Sequence, residues 1–211
     1  MHLPAAFRED RTPVLHDAIR AIGLANLVTV GPDGPVATPV PLLLDERDGP
    51  RGTLIGHLAR ANPQWRTAAA GVPALAVFMG PEAYVSPSWY ATKRETGKVV
   101  PTWNYVAVHA YGPLEVFEDR DSLLAVVTAL TDRYEAGRAE PWAVADAPAD
   151  FVDALLAGIV GVRLRIDRLE GKWKLSQNRP AADVDGVIDG LSGGGEGERR
   201  VAAAMRARRP D

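Results

Sequence analysis

Arg60 lies in a short segment between an apolar run and a helix start. The apolar run, Gly52 to His57, predicts a strand. Asn62 and Pro63 predict the start of a helix, because asparagine is a favoured N-cap and proline a favoured first helical residue. A guanidinium at the positive end of a helix dipole is suited to binding phosphate. The alternative is a capped helix that runs to Ala70 with a solvated arginine, and the spacing alone favours it.

A second group of hydrogen-bond donors lies in residues 172–179. Strand alternation places Lys172, Lys174 and Ser176 on one side and Trp173 on the other. A row of donors at a strand end can bind a phosphate or a carbonyl of a flat ring. The alternative, which the segment alone favours, is an exposed strand end with a buried Trp173.

Aromatic residues are concentrated in the middle of the chain, where seven of the ten Trp and Tyr residues lie between Trp65 and Tyr111. Several of them surround a loop that also carries Ser86 and Ser88. Aromatic side chains beside polar ones are suited to the wall of a pocket for a flat ring system. A protein core or a subunit contact is the commoner use of such residues.

Few residues suggest an acid, a base or a metal ligand. His57, His109 and Tyr105 are the acid and base candidates, although a lone strand histidine is usually a core residue. No His, Asp or Glu set has metal-ligand spacing. The sequence contains no P-loop, no Gly-rich dinucleotide loop and no Gly-x-Ser-x-Gly elbow. It also has no cysteine, which excludes disulfides and thiolate chemistry.

The composition is that of an ordinary globular protein, with 46% hydrophobic and 24% charged residues in a chain of 211. A net charge of −3 is not the balance of a protein that coats nucleic acid. We find neither an apolar signal region nor an apolar run of about 20 residues that would span a bilayer. We therefore expect a cytoplasmic protein without a membrane partner.

The elements that must position these residues are mainly short strands. The expected strands are 25–30, 36–44, 52–57, 72–79, 103–117 and 158–169. The expected helices are 12–22, 63–70, 121–136, 150–157, 183–191 and 196–209. Gly80-Pro81 is expected to end a strand, 84–101 to form a loop-rich stretch, and 171–178 to form a turn. Because strands and helices do not alternate regularly, the pattern favours an antiparallel barrel with helices at its ends.

Two strands carry additional information. Pro39 and Pro41 are two residues apart, so they remove N–H donors from the same edge, and their strand should lie at a sheet edge or beside a gap. In 103–117 the odd positions are largely aromatic and the even positions largely aliphatic, which predicts one face of each kind.

We expect one main domain, residues 1–191, which includes the N-terminal helix and a helical insertion at 121–157. Residues 192–211 form a Gly-rich link and a basic helix or tail with five arginines. This end is either a solvated helix, which we favour, or a basic patch that contacts DNA.

Four segments, together with the start 1–7, resemble the PaiB-type family, known as FMN-binding negative transcriptional regulators. They are 56–65 (GHLARANPQW), 80–90 (GPEAYVSPSWY), 100–105 (VPTWNY) and 174–179 (KLSQNR). The resemblance extends over most of the chain, to about Leu191. Glu82 stands where many relatives carry histidine, which changes the polarity of that loop.

The resemblance implies an α+β, mainly β fold, the antiparallel FMN-binding split β-barrel with peripheral helices. It also implies a homodimer with FMN at the interface, where Arg60 and Asn62 would meet the phosphate and Thr38 and Val40 would line the ring. The cofactor-binding residues expected by position are Thr38, Val40, His57, Arg60 and Asn62, and, from the interface side, Trp103, Asn104, Lys174, Ser176 and Gln177.

Three functions are consistent with this resemblance. The first is a flavin-dependent transcriptional regulator, although no helix-turn-helix motif supports direct DNA recognition. The second is a flavin-dependent oxidoreductase of the flavin reductase or pyridoxamine-phosphate-oxidase kind, in which the flavin carries the electrons. The third is a homologue that binds haem or another ligand. The sequence leaves open whether the protein is an enzyme.

Overall fold

The computed structural model describes residues 1–68 and 71–209. Its contacts divide the chain into two compact units. Unit 1 contains Met1–Arg11, Met79–Val108 and the described chain from Glu170 onward, and unit 2 contains Thr12–Phe78 and His109–Leu169. The expected boundary between residues 191 and 192 stays a prediction.

The strands are β1 (Arg8–Glu9), β2 (Leu24–Gly31), β3 (Gly34–Pro41), β4 (Leu43–Asp45), β5 (Thr53–Ala59), β6 (Ala74–Val85), β7 (Thr102–Gly112), β8 (Leu114–Phe117), β9 (Ile159–Arg165) and β10 (Arg168–Lys174). The helices are α1 (Thr12–Ile22), α2 (Gln64–Thr67), α3 (Thr92–Thr96), α4 (Arg120–Glu135), α5 (Ala149–Ala157), α6 (Ala181–Ser192) and α7 (Glu196–Ala207). Short 3-10 turns lie at Ala5–Phe7, Pro87–Trp89 and Val144–Asp146.

The described strand pairs are antiparallel. Unit 2 contains a four-stranded sheet in the order β4-β5-β9-β8, in which β5 and β9 pair along their full lengths, and a second set in the order β6-β2-β3. In unit 1 the order is β1-β10-β7-β6. The structure is mostly antiparallel sheet with several helices, which confirms the expected α+β, mainly β fold class.

The proline-marked strand β3 is the edge strand that the sequence predicts, because it lies last in its sheet and pairs only with β2 among the described strands. It ends at Pro41, however, whereas the expected strand ran to Leu44. Residues Leu43–Asp45 pair with β5 in the other sheet. A methyl group at Gly56 would lie 2.7 Å from the carbonyl oxygen of Pro41, so a glycine permits this crossing.

Strand β6 corrects two expectations. It continues through Gly80-Pro81 to Val85, where we expected a break and then a loop. Gly80 lies against Val106 of β7, where even a methyl group would be tight, so sheet packing overrides the local signal. Although residues 72–79 are continuously apolar, a pattern that predicts a strand buried on both faces, Ala74 and Phe78 are buried whereas Met79 is exposed.

The expected long strand 103–117 is divided at Pro113 into β7 and β8, which belong to different sheets. Proline has no backbone N–H to donate to a neighbouring strand, and Pro113 lies where the chain leaves the sheet of β7 and enters the sheet of β8. The predicted faces of β7 are confirmed, because the even residues 104–110 are buried and Trp103 on the odd face is exposed.

Three further boundaries differ from the expectation. The strand expected at 158–169 is two strands, β9 and β10, and β10 extends to Lys174 into the expected turn. Helix α4 begins at Arg120 and not at the expected Asp121, and Asp119 caps it, since its carboxylate accepts a hydrogen bond of 2.9 Å from the backbone N–H of Ser122. Helix α1, which ends before Gly23 at φ +69°, is confirmed in full.

Helix α7 is folded into unit 1 and packs against α6. Val201, Ala202 and Met205 are buried, so this helix has a core face as well as its basic residues. Among the described residues, no helix is both long and apolar enough to cross a membrane.

Candidate functional site

Arg60 follows β5 and is fastened at three points. Its Nε donates to the carbonyl oxygen of Ala157 at 2.8 Å, and its Nη2 to that of Ile159 at 3.1 Å. Its Nη1 pairs with the carboxylate of Glu118. The side chain is 34% exposed, and two of its five N–H groups remain beyond these bonds. Arg60 is therefore a positioned cation and not the freely solvated arginine of the alternative.

Asn62 links the start of α2 to the edge strand. Its Oδ1 accepts from the backbone N–H of Gln64 at 3.0 Å, and its Nδ2 donates to the hydroxyl of Thr38 at 3.1 Å. The bond to Gln64 closes a turn immediately before α2, which begins at Gln64 with Pro63 as its N-cap. Asn62, the expected cap, therefore lies one residue before the N-cap, and the helix is shorter than expected. The expected end at Ala70 lies outside the described residues.

Gln64 is a residue that the sequence reasoning missed. It is fully buried, and its Nε2 donates to the backbone carbonyls of Leu27 at 2.9 Å and Val36 at 3.2 Å. These bonds fasten the turn that carries Arg60 to the β2–β3 hairpin. Its place inside the 56–65 motif was the available signal, since a glutamine after an N-cap otherwise reads as an exposed helical residue.

His57 on β5 borders a cavity of about 300 Å³ that is lined largely by apolar side chains, among them Trp142, Phe151 and Leu155. Within the described residues, its buried Nδ1 has no hydrogen-bond partner. Burial lowers the pKa of the ring, so the imidazole is neutral near pH 7. A neutral ring nitrogen beside apolar walls can exchange one hydrogen bond with a ligand.

Five expected site residues thus lie in unit 2, and we call them the loop cluster. They are Thr38, Val40, His57, Arg60 and Asn62. Thr38 and Asn62 touch each other, whereas Val40 is a buried core residue. A ring-lining role for Val40 stays a prediction.

The other five lie in unit 1, and we call them the turn cluster. They are Trp103, Asn104, Lys174, Ser176 and Gln177. Asn104 is fully buried, and its amide exchanges hydrogen bonds with the hydroxyl of Ser176, at 3.0 and 3.2 Å. Ser176 has φ +66°, a left-handed conformation unusual for a non-glycine residue, and its side-chain bonds to Asn104 hold this turn.

Lys174 and Gln177 also bond within the turn cluster. The Lys174 ammonium donates to the hydroxyl of Thr102 at 2.6 Å and to the carbonyl of Trp103. Burial, together with the nearby positive charge of Lys172, lowers the pKa of Lys174. Gln177 folds back on its own turn, where its Nε2 donates to the carbonyl of Trp173 at 2.6 Å.

Trp103 is the member of the turn cluster with the largest exposed apolar surface, being 53% exposed. Tyr84, which is 46% exposed, meets it edge to face with ring centroids 6.2 Å apart. Adjacent exposed aromatic rings are typical of surfaces that bind a ligand or a partner. Tyr84 belonged to the aromatic segment noted in the sequence but not to the expected site.

Across residues 1–68 and 71–209, no group of three His, Asp or Glu side chains is arranged to hold a metal ion.

Comparisons of the sequence with a family model and with known proteins agree on one family. A family model described as "Putative FMN-binding domain" matches residues 1–168, which include the loop cluster, Trp103 and Asn104. The Bacillus subtilis protein named Protease synthase and sporulation protein PAI 2 is 34% identical over 191 residues, which cover 90% of this chain and 89% of the relative.

Solved structures show the same fold. The FAD and heme binding protein from Mycobacterium smegmatis matches with a TM-score of 0.60 and 22% identity, over 89% of this chain and 80% of its own. The flavocytochrome Anf3 from Azotobacter vinelandii matches with a TM-score of 0.59 and 14% identity, over 82% and 72%. The expected split-barrel fold is thereby confirmed.

Proposed function

We propose, from the membership of this chain in the PaiB-type family of FMN-binding domains, that it binds FMN with the cofactor phosphate at Arg60. The observation that carries the proposal is the position of Arg60, which is held by two backbone carbonyls while part of its guanidinium stays exposed. Asn62 and Thr38 lie together on the same turn and edge strand. When bound, FMN supplies the electron-transfer chemistry of the site.

The residues of the loop cluster fit such a cofactor. A positioned guanidinium suits a phosphate because its planar N–H groups match the phosphate oxygens. The Nδ1 of His57, which has no hydrogen-bond partner among the described residues, offers one hydrogen bond beside an apolar cavity. Glu118 pairs with the Arg60 guanidinium. An exposed ion pair stabilises a protein by only about 0–1 kcal/mol, so a phosphate can replace the Glu118 carboxylate.

The absorption spectrum of freshly purified protein tests the cofactor. A flavin spectrum, with FMN released on denaturation, supports the proposal. A haem spectrum would instead support the alternative of a haem-binding homologue. Protein that purifies without a chromophore and does not quench the fluorescence of added FMN would contradict flavin binding.

We also propose that the protein is a homodimer in which the turn cluster of one copy completes the FMN site of the other. The exposed pair of Tyr84 and Trp103 supports a contact surface in unit 1. Lys174 and Tyr105 lie nearby, with the ammonium 5.9 Å from the ring centroid. Together they offer a surface with both aromatic and basic character.

The proposed biological role is a flavin-dependent regulator located in the cytoplasm, in line with the family and with the sporulation function in the name of the relative. The last arginines give little support for direct DNA contact, because Arg208 and Arg209 pair with Glu9 and Asp185 and Arg206 donates to the hydroxyl of Ser192. Gel-shift titrations of the FMN-loaded and reduced protein with genomic fragments test this role. Salt-sensitive binding in one flavin state supports direct recognition, and its absence in both states contradicts it.

The second candidate is a flavin-dependent oxidoreductase. The neutral His57 ring beside an apolar cavity favours it, because its Nδ1 has no partner in the part of the chain that the structure describes and can bind a substrate or move a proton. Steady-state assays of flavin reduction by NADH or NADPH, followed by oxygen uptake, test this activity. FMN-loaded protein without turnover would contradict it.

A further inference from the structure

A second cavity, of about 370 Å³, lies within unit 1 beside α6 and α7. Its apolar wall is formed by Leu175, Val184 and Met205. Its polar wall contains Gln177 and three arginines, Arg179, Arg208 and Arg209. A cavity of this size falls in the range of small-molecule sites, in which a few polar groups orient an otherwise apolar ligand.

Two of the three arginines already have carboxylate partners. Arg208 pairs with Glu9 and lies over the ring of Trp173, with 4.5 Å from its guanidinium carbon to the ring centroid. Arg209 pairs with Asp185 at 2.8 Å. Their charges are therefore largely balanced by the protein itself.

Arg179 differs, because none of the described residues gives it a carboxylate partner. Its guanidinium carbon lies 4.7 Å from the centroid of the Tyr90 ring. The neighbouring Asp183 is occupied elsewhere, since its carboxylate accepts from the backbone N–H and the hydroxyl of Thr92, both at 2.9 Å. The cavity thus contains one arginine, Arg179, that no carboxylate of the described residues contacts.

The backbone around Arg179 is fixed. Its N–H donates to the carbonyl of Ser176 at 3.0 Å, and Ser176 is the residue held at positive φ by Asn104. The first turn of α6, at Ala181, also borders the cavity. A helix N-terminus adds partial positive charge to the same wall.

We propose that this cavity binds a small organic anion, with its carboxylate or phosphate monoester group on Arg179 and its apolar body against Leu175, Val184 and Met205. A guanidinium binds either head group through two parallel N–H bonds. This anion site contains none of the residues of the loop cluster, and Gln177 is the one residue that its lining shares with the turn cluster. The site would give the protein a place for an effector.

Isothermal titration of the full chain with three probes of similar size tests the proposal: benzoate, phenyl phosphate and benzyl alcohol. We expect at least one anion to bind about tenfold or more tightly than the neutral alcohol, as a charge-assisted bond implies. The two anions distinguish a carboxylate from a phosphate ligand. Equal affinity for all three probes, or no binding of either anion, would overturn the site.

Variants of Arg179, and of Arg200 as a control, test whether the anion binds in this cavity. Arg179→Gln should weaken anion binding about tenfold or more, and Arg179→Lys should weaken it less, because it keeps the charge without the planar fork. Arg200→Gln is the matched control, since Arg200 is an exposed arginine of α7 outside the cavity. Anion affinity that is unchanged in both Arg179 variants, or lowered equally by Arg200→Gln, would contradict the proposal.

Competition with FMN separates this site from the flavin site. We expect FMN and the anion probe to bind together, and Arg179→Gln to retain the FMN affinity of the wild type. Displacement of the probe by equimolar FMN would show that the cavity belongs to the flavin site and would overturn a separate anion site. Failure to bind FMN at all would refute the proposed function alone, because the anion titration does not depend on it.

Discussion

At the residue scale, Arg60 is fixed in position by its neighbours and is also the proposed ligand of the FMN phosphate. The carbonyls of Ala157 and Ile159 fix the plane of its guanidinium, and Glu118 occupies one exposed side. A guanidinium that is already oriented loses less conformational freedom when a phosphate binds. In the proposed site, Glu118 would compete with the phosphate and lower the affinity for the cofactor.

Arg60→Ala should weaken FMN binding by about 1.5–3 kcal/mol, the value of a hydrogen bond to a charged group. Glu118→Gln should strengthen it slightly, because the competing carboxylate is gone. Fluorescence quenching of FMN measures both affinities. Arg66→Ala is the control, since Arg66 lies over Trp65 on the adjacent helix. Unchanged affinity in Arg60→Ala would remove this residue from the phosphate site.

At the element scale, β5 and β3 approach each other at Gly56. The carbonyl of Pro41 and the side chain of Leu42 occupy the space that a side chain on Gly56 would need. This close approach leaves room for the chain to pass from one sheet to the other between Pro41 and Leu43, opposite the strand that leads to Arg60. The glycine of the 56–65 motif is therefore explained by packing.

Gly56→Ala should lower the free energy of unfolding by about 1–3 kcal/mol, because the added methyl group meets backbone that cannot move freely. Urea denaturation followed by circular dichroism measures the change. Gly197→Ala, at an exposed position of α7, is the matched control and should be neutral or slightly stabilising. Equal stability of Gly56→Ala and the wild type would mean that β3 and β5 can move apart here without a loss of unfolding free energy.

Strand β1 is joined to α7 through Glu9. Its buried carboxylate accepts from Arg11 and pairs with Arg208. Hydrogen bonds from Arg11, and then from Arg208, outweigh burial and lower the pKa of Glu9 to about 2 from 4.5. The folded state therefore favours the ionised form more strongly than the unfolded chain does. The stabilisation is present above pH 4.5 and is lost as the pH falls towards 2.

Glu9→Gln should be less stable than the wild type at pH 7, and its stability should fall less between pH 4.5 and 2. Thermal melting across this pH range measures the difference. Asp185→Asn removes a more exposed pair with Arg209 and should change stability little at either pH. Parallel pH profiles for Glu9→Gln and the wild type would contradict the assigned role.

The sequence predicts elements well where the signal is local. Helix α1 follows from its proline start, its spacing and Gly23, and the edge position of β3 follows from Pro39 and Pro41. It fails where partners distant in sequence decide the outcome. Strand β6 passes through Gly80-Pro81 because a neighbouring strand packs there, which no local pattern reveals.

The candidate site shows the same division. Arg60 and Asn62 were visible from their place before a helix. Their partners were not, because Glu118, Ala157 and Thr38 lie far away in the sequence. Asn104 and Ser176 were found through the family motifs, but their mutual burial shows that they position the turn.

At the scale of the whole molecule, the exposed aromatic pair in unit 1 is the surface that the proposed dimer would cover. Large exposed aromatic side chains provide much of the binding energy at protein interfaces. Trp103 and Tyr84 are about half exposed in the single chain. A second copy that buries them would also bring its turn cluster into an interface.

Trp103→Ala should weaken dimerisation about tenfold or more, which corresponds to the loss of an interface anchor. Analytical ultracentrifugation measures the monomer–dimer equilibrium, and circular dichroism establishes that the variant is folded. Trp142→Ala is the control, since Trp142 has similar exposure, 49%, but lies in unit 2. A monomeric wild type, or equal weakening by both variants, would contradict a dimer built on Trp103.

The discontinuous make-up of unit 1 determines when it can form during translation. Unit 2 is complete once Leu169 has been synthesised, whereas unit 1 also needs the chain from Glu170 onward. Until α7 leaves the ribosome, Asn104 lacks Met205 and Glu9 lacks Arg208. Because domains generally fold as units while the chain is synthesised, we expect a stage in which unit 2 is folded and the aromatic segments of unit 1 are still accessible to chaperones.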